Sequence, residues 1–144
     1  MLSINPYLLF DGTCEAAMNH YKSVFGGEFT TINRYGDMPD GNKLSAEEQN
    51  HIMHVSLPMS DGSVLMASDG LASQNGHVKT GDNFQLSIAA ESEAEATQLF
   101  NALSEGGTIE MPLAKTFWGS YFGMFMDKFH ISWMINYDYP KETV

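Results

Sequence analysis

A pattern recurs in this chain at a fixed offset of 80 residues, and it limits the possible folds more than any single residue does. Residues 5–30 read NPYLLFDGTCEAAMNHYKSVFGGEFT, and residues 85–110 read QLSIAAESEAEATQLFNALSEGGTIE. Each copy has a short apolar run, an acidic or small-residue break, a helical stretch, a double glycine and a second extended run. Glu15-Ala16 falls on Glu95-Ala96, and Gly26-Gly27 falls on Gly106-Gly107, with no gap. Identity elsewhere in the window is low, so the pattern carries the argument. Two copies of one supersecondary unit imply two half-structures sharing a core, with a cleft where they meet.

The chain of 144 residues is long enough to bury a core without a disulfide or a structural metal. Cys14 is its only cysteine, which excludes an intrachain bridge. No apolar run reaches the length of a membrane span, and the N-terminus has no basic segment followed by an apolar stretch, so neither a membrane partner nor a secretory signal is expected. The expected location is the cytoplasm. Acidic residues outnumber basic ones 18 to 7, for a net charge of −11, and Arg34 is the only arginine. Such a chain repels a polyanion, and no nucleic-acid partner is expected.

Residues 3–10 read as a first strand, with Pro6 suited to a sheet edge. Thr13 is placed to cap a helix from Cys14 to Phe25, whose apolar positions Ala17, Met18, Tyr21, Val24 and Phe25 follow helical spacing. Gly26-Gly27 stops it, and residues 29–35 read as a second strand. Residues 36–50 are a polar insertion, read as a loop with a short helical turn. A hairpin over 51–59 and 63–69 turns at Ser60-Asp61-Gly62. Residues 70–82 read as a linker with no packed element. The second copy repeats the order: a strand over 84–90, a helix over 93–104, a strand over 108–111 ended by Pro112, and strands over 121–126 and 131–137. The whole is α+β, one domain over 1–144, with βαβββ modules at 1–69 and 83–139.

Paired βαβββ modules resemble the vicinal oxygen chelate superfamily, which includes glyoxalase I, bleomycin-resistance proteins and extradiol dioxygenases. More specifically, the segments NPYLLFDG, YKSVFGGEF, IMHVSLPM, VLMASD, FWGSYFGMFMD and ISWMINYD resemble the PhnB-like group, often labelled 3-demethylubiquinone-9 3-methyltransferase domain. The resemblance implies an open barrel of strands with helices outside, and a homodimer. The methyltransferase label finds no support in a glycine-rich cofactor loop after the first strand. In metal-using members of the superfamily, each module supplies a ligand from its first strand and a Glu from its last. The resemblance places these positions at Asn5 and Met66, and at Gln85 and Met134. Divalent ions of this fold need nitrogen and carboxylate donors, and a thioether is a poor substitute. No metal and no other cofactor is therefore expected.

Strand alternation then sets which side chains line the cleft. With Asn5 and Gln85 facing it, so do Tyr7, Leu9, Ser87 and Ala89, together with His54, Ser56, Met66, Ser68, Met134 and Asn136. Trp118 either stacks on a planar ligand or seals one end, and Tyr121 lies beside it. Trp133 has the opposite parity and belongs to the core. Met53, Met59, Met124 and Met126 are expected as core filler, and Asp69 and Asp127 as turn caps. His51 and His54 are expected on opposite faces of one strand. His130 stands where the family has glycine.

The pocket is thioether-rich with uncharged polar groups, which suits an apolar or aromatic small molecule. A metal-independent binding protein of glyoxalase/bleomycin-resistance type is the leading reading. A lyase, isomerase or dioxygenase is the alternative, with His54 as its candidate acid–base and Tyr7 or Tyr121 behind it. A non-catalytic association domain is the third.

Overall fold

The computed structural model describes residues 2–141. The described chain is α+β, with eight strands in two separate four-stranded mixed sheets and helices packed on each. No ladder joins the two sheets among the described residues, so they are not closed into a barrel. The chain divides between Lys79 and Thr80 into two compact units.

In the first unit, β1 (Tyr7–Phe10) leads into α1 (Cys14–Phe25), then β2 (Thr31–Arg34), a polar excursion ending in α2 (Ala46–Asn50), and the hairpin β3 (Ile52–Pro58) and β4 (Val64–Asp69). The sheet order is β1-β4-β3-β2, with β1 parallel to β4 and the other pairs antiparallel. β1 is thus an edge strand, where the Pro6 before it removes no ladder bond. Helix α1 lays Ala17, Met18 and Tyr21 against Val55 and Leu57 of β3 and Leu65 and Ala67 of β4, all of them buried. Burying side chains as large as Met18 and Tyr21 contributes about 1.5–3 kcal/mol each.

Thr13 makes no side-chain cap. The cap comes from Asp69 at the end of β4, whose Oδ1 accepts the backbone N–H of Gly12 and of Cys14, each at 2.9 Å. Its Oδ2 accepts Ile52 N–H at 2.9 Å, so one buried carboxylate ties the start of the helix to the start of β3. At the other end of α1, Gly26 and Gly27 sit at φ 80° and 84°, which glycine alone adopts without cost.

The second unit repeats the plan with β5 (Leu86–Ala89), α4 (Glu93–Ser104), β6 (Thr108–Lys115), β7 (Ser120–Met126) and β8 (Ser132–Asp138), in the order β5-β8-β7-β6. Here the cap is local: Ser92 Oγ accepts Glu95 N–H at 3.0 Å. Gly107 is needed for a different reason from its counterpart Gly27, because a Cβ there would collide with the carbonyl of Met126. Asp127 closes the β7–β8 turn by accepting from Phe129 N and Ile131 N, and also takes the indole N–H of buried Trp133 at 2.8 Å.

Three expectations need correction. The segment read as an unstructured linker contains α3 (Ala72–Asn75), anchored by the buried Leu71 and by Glu48, whose carboxylate accepts Ser73 Oγ–H at 2.6 Å. Strand β6 continues through Pro112, because β6 is an edge strand and its pairing with β7 shifts register on either side of Met111. His51 is not on the strand with His54; it ends α2, and β3 begins one residue later.

Candidate functional site

The helices cover one face of each sheet, and strand alternation leaves the other face to Tyr7 and Leu9 of β1 while Leu8 and Phe10 are buried. The register carries that face across the first sheet: Tyr7 lies opposite Met66, Met66 opposite Ser56, and Ser56 opposite Thr31. Two residues back along β3, His54 lies on the same face, opposite Asn33. The Tyr7 hydroxyl is 3.0 Å from His54 Nδ1, and the two rings stack with centroids 5.5 Å apart. On its far side, His54 Nε2 is 2.8 Å from Ser56 Oγ.

These three side chains form one hydrogen-bonded chain. With one tautomer, Tyr7 donates to Nδ1 and Nε2–H donates to Ser56; with the other, both bonds reverse direction. The arrangement can therefore hold a proton at either nitrogen and pass it along without leaving the sheet face. Ser56 is only 8% exposed and Tyr7 is 45% exposed, so Tyr7 is the open end of the chain.

Asn5 has a structural task. Its Oδ1 accepts Val64 N–H at 2.9 Å, extending the β1–β4 ladder beyond the backbone pairs, and its amide donates to Ser3. Ser68 lies opposite Leu9 and is buried.

In the second unit, Ser87 lies opposite Met134, Met134 opposite Met124, and Met124 opposite Met111, a single row across all four strands. Asn136 pairs with Phe122 one rung along, and its side-chain amide donates to Asp138 at 2.9 Å. Gln85 Oε1 is buried without a hydrogen-bond partner among the described residues. Trp118 stands in the turn before β7, 57% exposed, edge-on to Phe117 and to Phe122.

Two expected placements differ. Tyr121 faces the helix side of its sheet, with its hydroxyl 3.3 Å from Thr97 Oγ1 on α4, because β7 starts at Ser120 and puts Tyr121 on the parity of buried Phe125. Met124 and Met126 are not core filler: they share parity with Phe122 on the open face and are half-buried. The Tyr7–His54 contact was not visible in the sequence, since it joins residues 47 apart through β4 and β3.

The divalent-metal positions of the superfamily do not fit such an ion here. Asn5 Oδ1 is already engaged by Val64, Met66 and Met134 offer only thioethers, and Gln85 is a neutral amide. Among the described residues, no group of three or more His, Cys, Asp or Glu could hold a metal ion. Of the other histidines, His77 pairs with Asp11 at 2.8 Å, and His130 lies in the β7–β8 turn. Cys14 is fully buried, and that burial, next to Asp69, pushes its thiol up, away from the reactive thiolate. No helix of the described residues is long and apolar enough to cross a membrane.

A family model described as 3-demethylubiquinone-9 3-methyltransferase matches residues 2–136. Protein YjdN of Escherichia coli is 32% identical over 143 residues, covering 94% of this chain and 95% of that protein. A crystal structure of a Pseudomonas aeruginosa protein is 38% identical with a TM-score of 0.84, covering 96% of this chain and 98% of that one. A putative 3-demethylubiquinone-9 3-methyltransferase, PhnB protein, from Bacillus cereus is 28% identical with a TM-score of 0.76, over 94% of this chain and 99% of that one. A glyoxylase/bleomycin resistance protein/dioxygenase domain from Frankia, 11% identical with a TM-score of 0.67 over 99% of this chain and 96% of its own, shares the fold.

Proposed function

Because the chain belongs to the 3-demethylubiquinone-9 3-methyltransferase family, with the fold of glyoxalase/bleomycin resistance/dioxygenase proteins, we propose that it binds an uncharged, apolar or aromatic small molecule on the open faces of its sheets without a divalent metal. One observation carries this reading. The open-face positions Tyr7, Leu9, His54, Ser56 and Met66 of the first sheet, and Ser87, Phe122, Met124 and Met134 of the second, include no carboxylate, lysine or arginine, and the carboxylate of Asp138 at the end of β8 on that face is engaged by Ser120 and Asn136. Apolar walls with a few hydroxyl, imidazole and amide groups orient a neutral ligand and give a charged one nothing to pair with.

Methyl transfer is not part of the reading. The backbone N–H groups of Gly12 and Cys14, where a cofactor loop after β1 would present its donors, are held by Asp69. The protein acts as a homodimer in the cytoplasm; the exposed Leu2, Ile4 and Phe117 offer apolar surface for self-association.

Titrating isotope-labelled protein with neutral aromatic fragments, their carboxylate analogues and their amine analogues tests the binding reading. Neutral fragments are expected to move the signals of Tyr7, His54 and Met66 in metal-free buffer. Preference for a charged analogue, or binding only after zinc or manganese is added, would overturn it. A second reading, acid–base chemistry on the bound molecule, is favoured by the Tyr7–His54–Ser56 chain. It predicts turnover that His54→Gln abolishes while binding remains.

A further inference from the structure

The thioether row of the second sheet supports a site of its own. Met111, Met124 and Met134 occupy directly opposed positions on three adjacent strands, with Met111 between two register shifts of the β6–β7 ladder. Adjacent strands are roughly 4.8 Å apart, which sets the outer two strands about 10 Å from each other. A methionine sulfur stands beyond Cγ on freely turning bonds, so the outer two can turn inward toward Met124 without backbone movement. Met126, two residues along β7, adds a fourth thioether on the same face. The row is flanked by Ser87, Ser132 and Phe122, none of which carries a charge. Met111 is 44% exposed, so the row is open to solvent at the β6 edge.

We propose that Met111, Met124 and Met134 hold one soft monovalent cation of the Cu(I) class. Neutral, polarisable thioether sulfur is a poor donor for zinc or manganese and a good one for Cu(I), so the residues that defeat a divalent ion select this one. None of the paired positions of the row is a carboxylate or imidazole, and the one carboxylate beside Met111 in β6 is that of Glu110, the unpaired residue of the bulge. The one free thiol, Cys14, is fully buried in the other unit and held protonated, so it does not compete. The cation's charge is left unneutralised by its ligands but sits in the long-range field of a chain with net charge −11.

Silver(I), which resists oxidation, is the probe. Titrated into full-length protein carrying ¹³C-methyl methionine, it is expected to shift the Met111, Met124 and Met134 methyl signals together and to saturate at one equivalent. Met124→Leu conserves volume and is expected to weaken binding at least tenfold by calorimetry. Met134→Leu reads the same effect should the first variant fail to fold, and Met38→Leu, at an exposed position of the first unit, is expected to leave affinity unchanged. Shifts spread over all ten methionines, no saturation at one equivalent, or unchanged affinity in a folded Met124→Leu or Met134→Leu protein would overturn the proposal.

Discussion

Tyr7 and His54 are 47 residues apart in sequence, yet the tyrosine hydroxyl lies 3.0 Å from Nδ1 of the imidazole. The contact crosses β4, since β1 and β3 are both its neighbours in the sheet. It fixes which ring nitrogen faces Ser56 and leaves the Tyr7 ring as the exposed end of the chain. Tyr7→Phe keeps the ring stacking and removes the hydroxyl. Stability should fall by no more than about 1 kcal/mol, because the group is half exposed and water replaces the lost partner. Affinity for a neutral aromatic probe should persist, while ¹⁵N spectra should show His54 redistributing between its tautomers. An unchanged tautomer ratio would mean that Ser56 alone sets the ring.

Asp69 is a larger stake. Its carboxylate is 1% exposed and accepts three backbone N–H groups from two elements. Asp69→Asn replaces one acceptor oxygen by an amide that faces a backbone donor. We expect a loss of about 2–4 kcal/mol in urea unfolding. Asp69→Ala should cost at least as much, since all three donors then lack partners. A loss under 1 kcal/mol for both variants would show that α1 caps itself through Thr13.

Much of this fold was legible because its signals are local. The span of α4 was readable to the residue, since Ser92 caps it and a double glycine follows. Strand parity correctly put Leu8, Phe10 and Trp133 toward the helices, as one buried face imposes period 2. What failed depends on distant partners. β1 begins at Tyr7 rather than residue 3 because the Asn5 side chain, not its backbone, engages β4. Pro112 was read as ending a strand, which it does not do on an edge. Tyr121 was misplaced because the start of β7 sets its parity, and no turn residue marks Ser120 as that start. Asp127 behaves as the expected turn cap, but Asp69 reaches Gly12 across 57 residues.

Cys14 should be inert in the folded protein. Burial against α1's neighbours, then the Asp69 and Glu15 carboxylates, raise its thiol out of the range where a thiolate forms. An aromatic disulfide reagent at mildly alkaline pH should react with it only after denaturant is added, at the rate of global unfolding. Fast labelling of native protein would mean that the first turn of α1 opens locally.

Glu15 and Arg34 pin α1 to β2, and Arg34 also donates to the Asn50 carbonyl at 2.7 Å. Hydrogen bonding from the guanidinium, with a smaller contribution from its charge, holds the Glu15 carboxyl below its ordinary 4.5. A carboxyl lowered on folding adds stability above its unfolded value and loses it as pH falls through its folded value. Glu15→Gln should therefore be less stable than the parent at neutral pH, by at most about 1 kcal/mol for so exposed a pair. The two proteins should converge as the solution is made acid. A gap that persists in acid would trace to side-chain packing rather than charge.

His130 adopts φ 69° in the β7–β8 turn, the left-handed region that Gly62 occupies at φ 95° in the β3–β4 turn of the first unit. A side chain there costs about 1–2 kcal/mol relative to glycine, and histidine is among the residues that tolerate it best. Its side chain is exposed, so little packing is lost on removing it. His130→Gly relieves the strain but frees the unfolded chain, which costs about 0.4–1 kcal/mol. The difference is a gain of about 0–1.6 kcal/mol, or a rise in Tm of up to about 6 °C for a chain of this size. The turn hydrogen bond from His130 N–H to the Asp127 carbonyl, 3.0 Å long, should survive, because it needs only the backbone. A lower Tm would show instead that the imidazole makes a stabilising contact at this turn, and would explain why histidine stands there.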